Sequence, residues 1–454
     1  MTEVRGTGGT GSGLVTVTRV VAVAALLGAP TPPRDAAGLD QELFPGLRTE
    51  LFVNATVIDG RGGPPRPSSS VLVSGGRIRA VGTEGSLLAP EGTIVVDLSG
   101  SYVVPGFIDV QASPRTSDDL HALLAYGITG VRDGALPLDV FEARGRGGFG
   151  DDPVPAVHIG GPVLDAGDGA RGVPLSSEAA AIAEVERQAQ AGAEFISISA
   201  NVPAEWLVGV ARAARRSDVP LWTDREGGGW LLALRAGAAV ASPLVSGDPE
   251  LLPEGERGAF GALGAGGGPG AHAAWLERLE AHGPEVDRAV TALLSNDAAL
   301  APLLASTAVP LDCIPDIAAC PPVTNADRAA LRAAWPQAQA LVRTLHGHGV
   351  RMLVGSDAPR TDWGVGFHRE MQLLAEAGIP ELEVIGMATR NAAIALGQLH
   401  ERGTIETGKR ADFLVLEANP LADIGNASRI SLVVIEGRAW SVGPNGAWER
   451  VRFN

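Results

Sequence analysis

Apolar runs of strand length alternate with helical patterns through the middle of this chain. Two such helical patterns lie at residues 177–192 (SEAAAIAEVERQAQAG) and 203–217 (PAEWLVGVARAARRS). Alternation of this kind is typical of βα units, whose consecutive strands are parallel and joined by a helix. The pattern therefore predicts an α/β fold built on a parallel sheet. The predicted strands lie near residues 103–111, 127–132, 156–161, 195–200, 219–224, 238–243, 298–304 and 351–357.

The outer parts of the chain have a different pattern. Residues 49–106 and 401–454 contain short strand patterns, and we expect them to join into one small β-domain. A chain of 454 residues is long enough to bury a large core and to form more than one domain. The predicted organisation is an N-terminal segment at 1–48, a β-domain divided between the two flanks, and a central domain at 107–400.

Several long motifs occur in the order of a known family. Residues 103–113 read VVPGFIDVQAS and residues 353–359 read LVGSDAP. They resemble the first and last barrel-strand motifs of the amidohydrolase superfamily. The flanks carry further matching blocks: LFVNATVIDGRGGPP at 51–65 and GTIETGKRADFLVLEANPLADI at 403–424. The resemblance spans roughly residues 50–440 and is strongest to imidazolonepropionase-like amidohydrolases and their Xaa-Pro dipeptidase relatives.

This resemblance implies both a fold and an ancestral activity. The fold is a (β/α)8 TIM-like barrel at residues 107–400, with a composite β-sandwich domain formed by 49–106 and 401–454. The ancestral activity is metal-dependent hydrolysis of C–N bonds in amides, cyclic amides or dipeptides, with zinc as the usual metal. Fold alone does not establish activity, because activity depends on the residues of the site.

Most positions that hold metal ligands in the family carry other residues here. The His-x-His pair of the first strand is replaced by Gln111 and Ser113, and Ser197 stands where the family has a metal-bridging lysine. The position of the fifth-strand histidine holds Asp224, and Pro243 aligns with the sixth-strand histidine. Zinc is normally bound by imidazole, thiolate or carboxylate groups. These replacements predict that the dinuclear metal site is lost.

Asp357, in GSDAP, is the one ligand position that matches the family. In the family this aspartate is both a metal ligand and the base that activates the attacking water. Lys409 is the only lysine of the chain and lies after the predicted barrel, so no barrel lysine could form a carbamate bridge. A second His-x-His, His346 and His348, precedes the eighth predicted strand and should lie at the N-terminal face, whereas catalytic groups gather at the C-terminal face.

Three functional hypotheses follow. The first is a pseudoenzyme that binds a small-molecule ligand or an active paralogous subunit, and we favour it. The second is an active C–N bond hydrolase in which Asp357 and Asp224 form an acid–base pair, or bind one hard cation weakly together with Gln111. The third is a purely structural role. Zinc is not expected as a cofactor under the first hypothesis, and an oligomer is compatible with all three.

Charge and hydropathy narrow the classes of partner and the location. A net charge of −16 and a pI of about 5.0 argue against nucleic acid as a partner. The sequence lacks an apolar run long enough to span a membrane. Residues 14–30 resemble the core of a signal peptide, which favours an exported or periplasmic protein over a cytoplasmic one. Cys313 and Cys320 could form a local disulfide in an exported protein, or stay as two free thiols.

Overall fold

The structure is a computed structural model, and its fold is mixed α/β. The described residues are 48–133, 153–167, 172–224, 229–245, 247–262, 268–312, 323–358, 361–442 and 448–451. The chain divides into two compact units, one of residues 1–107 with 398–454 and the other of residues 108–397.

The strands within the described residues are short, and many contain only two to six residues. In chain order they are β1 (Thr49–Val57), β2 (Arg66–Ser74), β3 (Arg77–Thr83), β4 (Ile94–Asp97), β5 (Tyr102–Pro105), β6 (Phe107–Ala112), β7 (Ile128–Asp133), β8 (Ala156–Ile159), β9 (Leu164–Asp165), β10 (Val173–Pro174), β11 (Ile196–Ser199), β12 (Leu221–Asp224), β13 (Val240–Ala241), β14 (Ala299–Leu300), β15 (Arg351–Met352), β16 (Phe413–Leu416), β17 (Ile430–Ile435), β18 (Arg438–Val442) and β19 (Trp448–Arg450).

The helices of the described residues lie mainly in the larger unit. They are α1 (Ser117–Ala125), α2 (Glu178–Gln190), α3 (Leu207–Arg216), α4 (Trp230–Ala236), α5 (Glu254–Ala262), α6 (Pro269–Arg278), α7 (Pro284–Ser295), α8 (Leu304–Asp312), α9 (Asn325–Gly347), α10 (Val365–Glu376), α11 (Glu381–Gly386) and α12 (Ala392–Ala395). Short 3-10 turns occur at Ala204–Trp206, Pro249–Leu251 and Ile424–Ser428, and a π-helical turn at Met387–Asn391. Within the described residues, no helix is both long and apolar enough to cross a membrane.

Both flanks of the chain contribute to one nine-stranded sheet in the smaller unit. Its main order is β19-β18-β17-β16-β5-β1-β2-β3, and β4 pairs with β1. The flanks meet where β5 pairs antiparallel with β16, with Val104 opposite Leu414. Alternate side chains of these strands enter a hydrophobic core in which the Phe52 and Phe413 rings meet edge to face at 5.2 Å.

The larger unit contains two parallel sheets. Their orders are β10-β9-β11-β12-β13-β14-β15 and β6-β7-β8. Every residue of β7 and of β11 is buried, as expected for parallel strands that are covered on both faces. Consecutive strands of the longer sheet pair directly, for example Trp222 with Val240 and Ala299 with Arg351.

Backbone hydrogen bonds connect both edges of the three-stranded sheet to the longer one. At one edge, the Val110 amide donates to the Val354 carbonyl at 3.2 Å; at the other, the Glu194 amide donates to the Ile159 carbonyl at 2.9 Å. The continuous strand ladders nevertheless remain open sheets. The prediction of an α/β fold is therefore confirmed at the level of a mixed α/β architecture, whereas the closed barrel and the β-sandwich stay predictions.

The first predicted strand, 103–111, was wrong as a single element. It is divided into β5, which belongs to the nine-stranded sheet, and β6, which begins the parallel sheets. The division falls at Gly106, whose amide donates to the Asp412 carbonyl at 3.0 Å. The other predicted strands each overlap an observed one. The sequence did not predict β9 and β10, because each has only two residues and forms no recognisable apolar run.

Candidate functional site

A buried arginine lies between two of the replaced ligand positions. Arg132, near the end of β7, is 1% exposed. Its Nη1 donates to Gln111 Oε1 at 2.6 Å and to the Val110 carbonyl at 3.2 Å, and its Nη2 donates to Ser197 Oγ at 2.7 Å. One guanidinium therefore connects the end of β6 with the middle of β11.

Two aromatic rings complete the surroundings of this guanidinium. The Arg132 Cζ atom lies 4.3 Å from the centre of the Phe195 ring and 4.2 Å from the centre of the Trp222 ring. Both rings are about 1% exposed. Ser197 and Trp222 are partners in the β11–β12 register, so their side chains lie on the same face of the sheet. The faces of aromatic rings stabilise a desolvated cation, which offsets part of the cost of burying Arg132.

This arrangement does not fit a dinuclear zinc centre. Gln111 and Ser197 stand at the positions that the family resemblance assigns to the first histidine and the bridging lysine, and their side-chain oxygens both accept from the same guanidinium. Arginine is a permanent cation with donors only. A metal cation at this position would meet a positive charge instead of an anionic or imidazole ligand. The side chains around Arg132 therefore oppose metal binding.

The structure brings Asp357 and Ser113 to the same sheet edge as Gln111. The Asp357 amide donates to the Gln111 carbonyl at 2.7 Å, and the Ser113 amide donates to the Ala358 carbonyl at 3.0 Å. Asp357 is half-buried and has a positive φ of 58°, which is uncommon for a residue other than glycine. The Gly-Ser-Asp segment is thus fixed against the end of β6 by backbone bonds.

The remaining predicted positions lie on the neighbouring strands. Asp224 ends β12 opposite Ser199, and the description of this residue covers its backbone only. Pro243 is buried just beyond β13, after Ser242. The two cysteines, Cys313 and Cys320, lie outside the described residues. Among the residues that the structure describes, no group of three or more His, Cys, Asp or Glu side chains could hold a metal ion.

Two buried carboxyl groups lie close to these residues. Asp109, in the PGFID motif, is 0% exposed, and its Oδ1 accepts from the amides of Gln111 at 3.0 Å and Ser356 at 2.9 Å. Burial raises the pKa of Asp109 to about 6, although hydrogen bonds from Ser356 and Gln111 oppose the shift. Asp109 therefore links β6 to the Gly-Ser-Asp segment.

Glu370, on α10, is the second of these carboxyls and is also 0% exposed. Its Oε2 accepts from the Ala305 amide at 2.7 Å, at the start of α8. Burial raises the pKa of Glu370 to about 7, with a smaller contribution from the charge of Asp109, and backbone hydrogen bonds from Ala305 and Leu304 oppose the shift. This carboxyl holds a proton more readily than an exposed glutamate does.

Three histidines near the parallel strands have protein partners. His158 Nδ1 lies 2.8 Å from Glu194 Oε2, and His346 Nε2 lies 2.7 Å from Glu383 Oε2. His348 Nδ1 lies 2.7 Å from the Thr344 carbonyl at the end of α9. The His346–His348 pair lies at the C-terminal end of α9, just before β15, and its place at the N-terminal face of a barrel stays a prediction.

Sequence reasoning missed Arg132 and its two aromatic neighbours. A signal was present, because the apolar run ITGVRD at 128–133 places a charged residue near the end of a predicted strand. The runs FISIS and LWTD likewise each contain one aromatic residue at a strand position. The family motifs identify the ligand positions, but they contain no information about the arginine that lies between them.

Known proteins share the fold of this chain and part of its sequence pattern. Residues 323–440 match the sequence model of the amidohydrolase family. A candidate prolidase from Bifidobacterium longum has 23% sequence identity and a TM-score of 0.68, with 87% of this chain and 96% of that chain covered. A Xaa-Pro dipeptidase with bound methionine has 17% identity and a TM-score of 0.65 over 87% and 100% of the two chains. A molinate hydrolase has 20% identity and a TM-score of 0.65 over 87% and 94%. No curated protein sequence matches the chain.

Residues 323–440 thus match the amidohydrolase family, as the motifs predict, and the fold of the chain is similar to that of Xaa-Pro dipeptidases and other amidohydrolases. At these levels of identity the structural likeness establishes the fold alone. Activity has to be argued from the residues around Arg132.

Proposed function

We propose that this protein is a pseudoenzyme of the amidohydrolase superfamily, which has lost the dinuclear metal site and binds a small-molecule ligand or an active paralogous subunit. The observation that carries the proposal is the Arg132 guanidinium between Gln111 Oε1 and Ser197 Oγ, at 2.6 and 2.7 Å. The guanidinium supplies a positive charge where the ancestral site had metals. The site therefore keeps a positive charge but has no metal ion to activate water.

A guanidinium cannot replace a metal in the ancestral reaction. Metal-dependent hydrolases need a cation that binds water and lowers its pKa to near neutrality. A guanidinium only donates hydrogen bonds, so it cannot coordinate a water molecule as a metal ion does. The Arg132 guanidinium here donates to three oxygen acceptors within 3.2 Å. Changing groups outside the metal ligands alone costs roughly 10–100-fold in affinity or activity. Replacement of several ligands together removes the basis for that activity.

The connections between the two parallel sheets support a closed eight-stranded barrel as part of this proposal. In that arrangement the cycle is β6, β7, β8, β11, β12, β13, β14 and β15, and it closes through the hydrogen bond between Val110 and Val354. Gln111 and Asp224 would then lie toward the C-terminal ends of their strands, where ligands of such barrels bind.

A second candidate is a hydrolase for C–N bonds that uses Asp357 and Asp224 with one metal ion or none. The positive φ of 58° at Asp357 favours it, because strained backbone in a residue other than glycine concentrates at functional sites. The family resemblance gives Asp357 the role of base. This candidate would require a measurable rate that depends on that carboxylate.

A hydrolysis screen separates the two candidates. The substrates are amides, cyclic imides and dipeptides ending in proline, assayed with and without added zinc or manganese. The variants are Asp357→Asn and, as a matched control, Asp118→Asn at an exposed position in the first turn of α1. We expect background rates in all three proteins. A wild-type rate that survives Asp118→Asn and disappears in Asp357→Asn would refute the pseudoenzyme proposal and support the hydrolase.

A further inference from the structure

The smaller unit contains a cavity with an unusual charge. Its volume is about 480 Å³, and its lining includes the five arginines Arg48, Arg77, Arg410, Arg438 and Arg450. Glu436 is the one acidic residue among the described residues that line it. Guanidinium groups therefore dominate the surface that a ligand would contact, in a chain whose net charge is −16. A surface of this kind attracts anions.

Two tight turns gather these arginines at one end of the sheet. Gly75 and Gly76 connect β2 to β3 with φ values of 59° and 75°, as in a two-residue hairpin turn. Glu436 and Gly437 connect β17 to β18 in the same way, with φ values of 49° and 71°. A Cβ atom on Gly437 would lie 3.1 Å from Gly76 Cα, so the two turns are in close contact. The fold therefore brings the first residues of β3 and β18, Arg77 and Arg438, to one cavity.

Ion pairs fix three of the five arginines. The N–O distances are 2.7 Å for Arg48–Glu50, 3.0 Å for Arg77–Glu401 and 3.0 Å for Arg410–Asp412. None of these three carboxylates lines the cavity. Each guanidinium has five N–H donors, so an ion pair of this kind orients the group without using all of them. Arg77 also donates to the Gly408 carbonyl, and Arg410 also pairs with Glu436. These arginines are thus held in position before any ligand arrives.

Arg438 differs from the anchored arginines. It is exposed, and it has no ion pair with any residue in the described part of the chain. Glu436, which lies two residues before it, is paired with Arg410 at 2.8 Å. Arg438 therefore contributes a positive charge with which no described carboxylate pairs. Substitution of this exposed residue should not affect folding.

The lining indicates the class of ligand. A volume of about 480 Å³ is typical of a small-molecule site and exceeds the space that one phosphate group needs. Val73 is the only apolar side chain among the described lining residues, and no aromatic ring among them could stack on a base. We propose that this cavity, named here the arginine pocket, binds a small molecule through two or more phosphate groups. The site is separate from that around Arg132, and the proposal does not depend on the proposed loss of hydrolysis.

Isothermal titration calorimetry with inorganic pyrophosphate and tripolyphosphate tests the proposal at low ionic strength, on the order of 50 mM NaCl. The variants are Arg438→Glu and, as a matched control, Arg429→Glu. Arg429 lies in the same unit, is exposed, and pairs with Glu417 at 3.5 Å, but it does not line the pocket. Sulfate and citrate serve as competing anions of other chemistry.

We expect tripolyphosphate to bind with micromolar affinity and to bind more tightly than sulfate or citrate. Arg438→Glu should weaken it by about tenfold or more, because it removes one charge-assisted contact and adds a repulsive one. Arg429→Glu should leave the affinity unchanged, and the affinity should fall with added salt. Absence of heat with both polyphosphates would overturn the proposal. So would equal binding of citrate, or an equal loss in the two variants.

Discussion

Replacement of Ser197 by alanine tests the central contact of the site. The Ser197 hydroxyl accepts from Arg132 Nη2 at 2.7 Å, and Ser197 is 0% exposed, so bulk solvent does not reach this donor. A buried donor left without its acceptor costs about 1–3 kcal/mol, and more when the group is charged. We therefore expect Ser197→Ala to lower the free energy of unfolding by roughly 2–3 kcal/mol. Urea denaturation followed by circular dichroism measures this change.

A matched serine and a double-mutant cycle isolate the guanidinium. Ser242 is 2% exposed, and its hydroxyl donates to the neutral Thr223 carbonyl at 2.7 Å, so Ser242→Ala should cost only about 1 kcal/mol. With Arg132→Met already present, Ser197→Ala should cost less than about 0.5 kcal/mol, because its charged partner is gone. A cost of Ser197→Ala equal to that of Ser242→Ala, or unchanged in the Arg132→Met background, would show that the Arg132 guanidinium does not depend on the Ser197 hydroxyl.

Two further predictions concern protonation and oxidation. Because the pKa of Glu370 is raised from 4.5 to about 7, its contribution to stability is present below pH 4.5 and is lost as the pH rises to about 7. Glu370→Gln should therefore reduce the fall in unfolding free energy between about pH 5 and pH 8, and a slope equal to that of the wild type would contradict this assignment. If the chain is exported, Cys313 and Cys320 should be oxidised together, and non-reducing mass mapping that finds two free thiols in natively produced protein would remove that support for export.

The alternating pattern located most of the parallel strands because it reports burial directly. β11 lies inside the predicted segment 195–200, and β12 inside 219–224. The pattern failed at 103–111, where one apolar run serves two sheets and the break at Gly106 depends on a hydrogen bond to Asp412, far away in the chain. Hydrophobic periodicity contains no information about such a distant partner. Closure of the barrel and the role of Asp224 stay predictions for the same reason.

The site shows a similar limit. The loss of the histidines and the lysine could be read from Gln111, Ser113 and Ser197, because motif positions are local. What took their place could not be read, because Arg132 reaches partners 21 and 65 residues away in the sequence. Only the pairing of β7, β11 and their neighbours brings these side chains together. A charged residue inside a buried strand pattern indicates that such partners exist, because charged side chains are rarely buried unless they are paired.

Metal content tests the proposed loss of the dinuclear site most directly, because the Arg132 guanidinium lies between two of the positions that hold metal ligands in the family. The measurement is elemental analysis of protein purified without chelator from medium supplemented with zinc and manganese. We expect well under one equivalent of either metal per chain, since Arg132 engages the side chains of Gln111 and Ser197. One or two tightly held zinc or manganese ions per chain, retained through dialysis, would contradict it.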